Sequence, residues 1–407
     1  MAKFVLVLNS GSSSLKYALY DLAKAATCIS VGIVGGIGTE RSFISHKNVQ
    51  TSQDVTLQGL DIGHHKQGLQ KVLDLLRLGE GSSHNVMAVG HRVVHGGEAL
   101  TRPTLVTESV KQAIEKAAPL APLHNPPNLE GILVSEEIFE CPQVAVFDTA
   151  FHSTMPPAAY HYAIPYNLYE ELGIRRYGFH GTSYQYLLGQ VSNILGKSQA
   201  DVNMIALHLG AGASMAAIRN GKCIDTSMGV TPLQGLVMAT RSGDIDPAII
   251  QILASEKGMD VDEVTNMLNK KSGLFGLCGE KDLRSVWDAA EAGNARHKLA
   301  LEVYVHRIRS YLGSYFFQLE GQVDALVFSA GVGEASGRTR ALICEGLEKF
   351  GIEIDSSQNG EGKLKEAKAI HKKGSKVQIL VIPTNEELSI AQQTLQVVEA
   401  QQQHMKR

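Results

Sequence analysis

The chain has 407 residues, enough for two domains of ordinary size, and its formal charge of -3 is spread in mixed sign, which argues against a nucleic-acid or membrane-surface partner. Five scattered cysteines (Cys28, Cys141, Cys223, Cys278, Cys344) with no Cys-x-x-Cys pair argue against a disulfide framework or zinc ribbon and suit a reducing cytoplasm. The N-terminal apolar run is too short for a signal peptide, and no run approaches the roughly eighteen apolar residues of a spanning helix, so neither secretion nor membrane insertion is expected.

Phe4 to Leu8 is an apolar run too short for a helix, and Asn9 to Ser14 is rich in small and hydroxyl-bearing residues before a second run from Leu15 to Tyr20. This predicts a strand, a tight turn able to present N–H groups to an anion, and a second strand; an ordinary hairpin is the alternative. From about Ala25 to Gln70 strands and connections follow, with a bend at Gly35 to Gly38, a surface segment holding His64 and His65, and an amphipathic helix over Gly68 to Leu78.

Val86 to Val89 reads as a strand delivering Gly90-His-Arg-Val-Val-His-Gly-Gly-Glu98. The planar fork of Arg92 suits a carboxylate or phosphate, with a surface ion pair as the competing reading, and His91 and His95 read as hydrogen-bonded structural residues. Prolines at 119, 122, 126 and 127 bar a continuous helix through that segment and hold Leu123 and His124 in fixed directions. Gln143 to Asp148 is a strand ending on an aspartate that could meet a metal or polar substrate, or cap the next turn.

The texture changes at Met155-Pro-Pro157 and Ile164-Pro165. Beyond it, His180 beside Gly181 could donate to a developing negative charge. Met204 to Leu209, the turn Gly210-Ala-Gly-Ala-Ser214 and Met215 to Ile218 repeat the opening theme, and Ala325 to Ala330 with Gly331 to Glu334 repeats it again. The recurrence points to a duplicated domain with a cleft between the copies. Arg241 lies in a turn dense with Ser242, Gly243, Asp244 and Asp246, and Asp246 before Pro247 suits an N-cap. Thr384-x-x-Glu387 fits a capping box opening a helix over Leu388 to Ala400, ahead of a glutamine-rich tail to Arg407.

Read together, Val7-Leu-Asn-Ser-Gly-Ser-Ser-Ser-Leu-Lys16, His91-Arg-Val-Val-His-Gly-Gly-Glu98, Phe147-Asp-Thr-Ala-Phe-His152, Thr240-Arg-Ser-Gly-Asp244 and Pro383-Thr-Asn-Glu-Glu387 make the chain resemble, end to end, the acetokinase family of the actin, sugar kinase and Hsp70 superfamily. The resemblance implies an α/β protein of two duplicated ribonuclease-H-like (actin-like ATPase) domains with a central cleft. The expected division is residues 1–150 with the C-terminal helix 386–407, and a nucleotide-binding domain 151–385. It implies a homodimer, and reversible Mg²⁺-dependent transfer of the γ-phosphoryl group of ATP to acetate, giving acetyl phosphate and ADP, with Mn²⁺ as an alternative metal.

By motif position Arg92, Asp148, His180 and Arg241 would be catalytic, and Asn9 and Glu386 would serve the metal. Arg92, Val94, Leu123, Phe179 and Pro232 would bind the acid. Lys16, His208, Gly210, Gly212, Asp282, Leu283, Arg284, Gly331, Val332 and Gly333 would bind the nucleotide. Simple carboxylic acids are ionised at pH 7, so no general base is needed and the task is electrostatic, favouring direct in-line transfer with closure of the domains. A propionate-preferring kinase and a non-catalytic nucleotide-binding protein are the alternatives. Ala211, Ala335, Tyr184, Gln234 and Ala239 depart from the residues usual in the family, which puts phosphoryl-donor choice in question.

Overall fold

The computed structural model describes residues 3–23, 26–77 and 86–405. Leu78, Ala25 and the tail residues 406 and 407, included in the elements expected above, lie outside them. The chain divides into two compact units, Met1–Ser153 with Asn385–Arg407, and Thr154–Thr384.

The first unit is built on strands β1 (Phe4–Gly11), β2 (Ser14–Asp21), β3 (Thr27–Gly35), β4 (Ser42–Asn48), β5 (Gln53–Leu60), β6 (Val86–Val93), β7 (Thr104–Leu105) and β8 (Gln143–Phe147). Among the described residues they form one sheet in the order β5-β4-β3-β2-β1-β6-β8-β7. Alternation along β1 sends Leu6 and Leu8 to one face, where they pack with Leu69, Val72 and Leu73 of the helix His65–Arg77. Val5 and Val7 face the other way, against Ile390, Ala391 and Val398 of the helix Glu386–Met405. Burial on both faces explains why β1 reads as a continuous apolar run.

Two glycines let helices come close to this sheet. A side chain on Gly131, in the helix Asn125–Ile138, would collide with Ser10, and one on Gly90 in β6 would collide with Thr394. The proline-rich segment is a short 3₁₀ turn, Ala118–Leu120, followed by that helix, whose first turn contains Pro126 and Pro127, where missing N–H groups cost nothing.

The second unit contains β9 (Met204–Leu209), β10 (Ala213–Arg219), β11 (Lys222–Thr226), β12 (Ala325–Ser329), β13 (Lys368–Ala369) and β14 (Gln378–Val381), in the order β11-β10-β9-β12-β14-β13. This matches β3-β2-β1-β6-β8-β7 strand for strand. In both, the first three strands are antiparallel, the first and fourth parallel, and the edge strand is antiparallel to its neighbour. The shared topology is that of a duplicated ribonuclease-H-like fold.

Several local expectations are corrected. β1 and β2 continue to Gly11 and from Ser14, so only Ser12 and Ser13 turn, and Asn9 lies in the ladder opposite Lys16. His65 is buried, its Nε2 2.7 Å from the Gly11 carbonyl and its Nδ1 3.0 Å from Glu130. The third glycine theme is a strand leading into a short helix, Ala330–Ala335, entered through a left-handed Ala330 with φ of 64°. The final helix begins at Glu386, and its cap is Asn385, whose Oδ1 accepts from the Leu388 N–H at 3.0 Å, in place of the Thr384 capping box. Asp246 accepts from the Ala248 N–H, with Pro247 at the cap of the helix Ala248–Lys257.

Candidate active site

In the first unit, β6 and β8 are parallel neighbours and carry Arg92 and Asp148 to the same end of the sheet. Arg92 donates through Nε to Asp148 Oδ1 at 3.1 Å and through Nη2 to Oδ2 at 2.7 Å. This two-pronged pairing is what the guanidinium fork provides and a lysine does not. Burial works against the Arg92 charge, but Asp148 and Glu386 more than offset it, so its pKa lies above the ordinary arginine value. Burial pushes Glu386 up to about 7; Arg92 and Lys16 oppose the rise, while Asp148 and Glu387 add to it. Glu386 thus sits in the first turn of its helix within a field already set by Asp148 and Arg92.

Asn9 and Lys16 face each other across the first hairpin, and the Lys16 charge acts on Glu386, which draws these residues to one end of the unit. The donors here are oxygens, and a buried carboxylate crowded by Asp148 and Glu387 gains from a cation. Both observations fit Mg²⁺ taken by one or two protein oxygens with the rest supplied by phosphates and water. No group of three or more His, Cys, Asp or Glu among the described residues forms a protein cage for a metal. Val94 is buried beside Arg92, its N–H held by Asn128. Leu123 is 67% exposed, so within this unit it forms no enclosed apolar wall of the kind expected of it.

In the second unit, His180 precedes the helix Gly181–Leu195 with a left-handed φ of 59°. Its Nδ1 lies 2.8 Å from Ser214 Oγ, and its ring stacks on His208 at 4.1 Å. His208 Nδ1 is 2.9 Å from Ser183 Oγ, which in turn is 2.8 Å from Thr384 Oγ1. A β-carbon built on Gly212 would lie 3.4 Å from Arg241 Nη1 and 3.8 Å from His180 Nε2, so the glycine keeps a small space open beside both groups. Arg241 donates to the Pro232 carbonyl at 3.2 Å, and burial alone lowers its pKa. A half-buried cation held by a neutral acceptor is set to receive an anion. Phe179 is buried next to His180.

A cavity of about 800 Å³ opens beside the β9–β10 turn. Gly210, Asp282, Leu283, Arg284, Gly331 and Val332 line it, as do Ala211, Ala239 and Ala335 from the positions that depart from the family. Asp282 also caps the helix Leu283–Glu291 and grips Arg284 through several hydrogen bonds. Gly333, next to the lining residue Val332, is buried against Phe328 and Leu209, and its carbonyl accepts from Arg340. His208, expected at the phosphates, stacks on His180 outside the cavity lining. Lys281, Ser336, Arg338, Glu361 and Lys363 line it without having been foreseen. Lys281, adjacent to Asp282, and Ser336, adjacent to Ala335, carried a signal in the sequence.

In the second unit, a hairpin turn at a nucleotide-sized cavity, with Arg241 and His180 beside Gly212, suits a phosphotransferase. The comparisons with known proteins agree. A profile of the acetokinase family matches residues 4–392. The chain is 47% identical to the acetate kinase of Desulfovibrio desulfuricans over 401 residues, 97% of this chain and 99% of that one. It is 49% identical to the acetate kinase of Halothermothrix orenii, covering 97% of this chain and 100% of that one. Its fold superposes on the crystal structure of Porphyromonas gingivalis acetate kinase with a TM-score of 0.92 at 40% identity, covering 97% and 100%. The chain belongs to the acetokinase family and is a kinase.

Proposed function

We propose that this kinase transfers the γ-phosphoryl group of ATP to acetate, reversibly, giving acetyl phosphate and ADP by direct in-line displacement. The observation that carries the reading is Arg241: a half-buried guanidinium bonded to a backbone carbonyl, beside His180 Nε2 and the space kept by Gly212. Phosphoryl transfer spreads charge over three equatorial oxygens, and fixed donors that need no reorganisation are the largest means of stabilising it. The acceptor is an anion already, so Arg92 serves to bring it in against the charge of the phosphates. Asp148 holds the Arg92 fork in plane.

Asn9 and Glu386 would hold Mg²⁺, and when bound that ion would neutralise phosphate charge. The 800 Å³ cavity is of the size a nucleoside needs, and Asp282, Leu283, Arg284, Gly331 and Val332 are proposed to hold it. Val94, Leu123, Phe179 and Pro232 are proposed to contact the acid's methyl group. We also read the enzyme as a cytoplasmic homodimer, in line with its five free thiols and its family.

A second reading, preference for propionate, is favoured by the likeness to a propionate kinase from Francisella tularensis, with 42% identity and a TM-score of 0.90. One methylene separates the two acids by only about 1 to 3 kcal/mol in an apolar pocket. A hydroxamate assay with ATP and Mg²⁺, run with each acid and with Arg241→Ala, tests both. Higher kcat/KM for acetate, lost in the variant, supports the first reading; higher kcat/KM for propionate supports the second; no acyl phosphate from either acid defeats both.

A further inference from the structure

We infer that Tyr184, acting through Ser214, fixes the His180 ring in the tautomer that carries its proton on Nε2. Tyr184 and Ser214 are completely buried, and they come from different elements: Tyr184 from the first turn of the helix Gly181–Leu195, Ser214 from β10 opposite His208. Ser214 Oγ lies 2.5 Å from Tyr184 Oη and 2.8 Å from His180 Nδ1. A serine hydroxyl has one proton to give and lone pairs to accept with. A phenol is a far stronger acid than an alcohol, so Tyr184 donates to Ser214 and Ser214 donates to Nδ1. An imidazole that accepts at Nδ1 keeps its proton at Nε2 when neutral.

Nε2 is the nitrogen that opens on the Gly212 turn, alongside Arg241 Nη1. Both groups are then donors converging on one small space, which suits phosphoryl oxygens. The opposite tautomer would turn a lone pair toward those oxygens. The stack on His208 keeps the ring from rotating out of this alignment, and the left-handed backbone at His180 directs the ring toward β10. Tyr184 is therefore a positioning residue for the reaction. The inference rests on His180 acting at the phosphoryl group as proposed above.

The test uses the full-length protein labelled with ¹⁵N-histidine, read by long-range ¹H–¹⁵N spectra without substrate. His180 is assigned by the signals lost in His180→Gln. In the wild type its Nδ1 is expected in the unprotonated, hydrogen-bond-accepting range and its Nε2 in the protonated range. Tyr184→Phe and Ser214→Ala are expected to shift both nitrogens toward the mixed-tautomer average. In Tyr184→Phe, kcat should fall about tenfold, the value of one good hydrogen bond, with KM for ATP unchanged.

A wild-type spectrum with the proton on Nδ1 overturns the inference, whether or not the variants fold. Unchanged nitrogen shifts in both variants, with native circular dichroism, overturn it as well. Because the spectra need no turnover, a wild-type enzyme that makes no acyl phosphate would sink the proposed reaction and leave the tautomer assignment standing.

Discussion

Arg92 and Asp148 form a two-pronged ion pair in which the carboxylate is only 1% exposed and the guanidinium 21%. A buried pair of this kind adds little net stability, but losing one member leaves a buried charge without its partner, at a cost of about 3 to 5 kcal/mol. Arg92→Ala is therefore expected to unfold at markedly lower urea, and Arg92→Ala/Asp148→Ala to recover part of the loss. Circular dichroism melts of the cycle check this; additive effects of the two single changes would mean that the pair is not energetically coupled. Arg92→Lys should fold but raise KM for the acid, because an ammonium cannot make both bonds.

Arg241 makes the opposite prediction. Among the described residues it has no ion pair to break, so Arg241→Ala should change thermal stability little while lowering kcat by about 10² to 10³, the usual effect of removing one preorganised donor. A variant with near-normal kcat in the hydroxamate assay would exclude Arg241 from the charge-stabilising role.

His91 gives a pH dependence of stability. It is fully buried with Nε2 2.6 Å from Gln143 Oε1, and burial pulls its pKa down to about 4 from the ordinary 6.5. The unfolded chain binds that proton near 6.5 and the folded chain only near 4, so the contribution is complete above 6.5 and is lost as pH falls toward 4. Over that window the loss is on the order of 3 kcal/mol. His91→Gln keeps a donor but cannot titrate, and its urea midpoint should vary less between pH 7 and pH 5 than that of the wild type. Equal pH dependence in the two proteins would show that other groups control acid sensitivity.

Ala211 and Ala335 line the nucleotide-sized cavity without an amide to offer. Ala335→Asn adds a group worth about 0.5 to 1.5 kcal/mol if it finds the base, so KM for ATP should fall by up to about tenfold and the ATP-to-GTP preference should rise. A wild type that already strongly prefers ATP, with no gain in the variant, would remove Ala335 from the question of donor choice.

Gly90→Ala should loosen the helix Glu386–Met405, since the added carbon meets Thr394. Overpacking of this type costs about 1 to 3 kcal/mol. Because the same helix carries Glu386, the variant should also require more Mg²⁺ for half-maximal activity. Gly90→Ala/Thr394→Ala should restore both, and failure to restore the metal requirement would separate helix docking from the metal site.

Much of the fold was legible because the central strands, β8, β9 and β12 throughout and β1 nearly so, are buried on both faces. Phe4 to Leu8 is a continuous apolar run, Met204 to Leu209 is one broken only by His208, and their small-residue turns repeat, so the duplication could be read from the chain alone. What was missed depended on partners distant in sequence. His65 looks like a surface residue until the Gly11 carbonyl and Glu130 are brought to it. Thr384 looks like a cap, but its hydroxyl is drawn to Ser183 and Asn385 takes its place. Glycines in a strand-to-helix turn and in a hairpin turn look alike locally, and the geometry at Ala330 tells them apart only in three dimensions. In the site, charged residues within the motifs that carry the family resemblance were readable, whereas Arg338, Glu361 and Lys363 reach the cavity from segments with no motif of their own.

The helix Glu386–Met405 is made only after the whole of the second unit, yet it covers one face of the first sheet and carries a carboxylate that acts on Arg92. During synthesis on a ribosome the first unit must therefore wait, with Val5, Val7, Val144 and Val146 uncovered, until the entire second unit has emerged. Nascent chains that stop short of residue 386 have neither that cover nor Glu386, so the full carboxylate set is assembled only in chains translated through that helix.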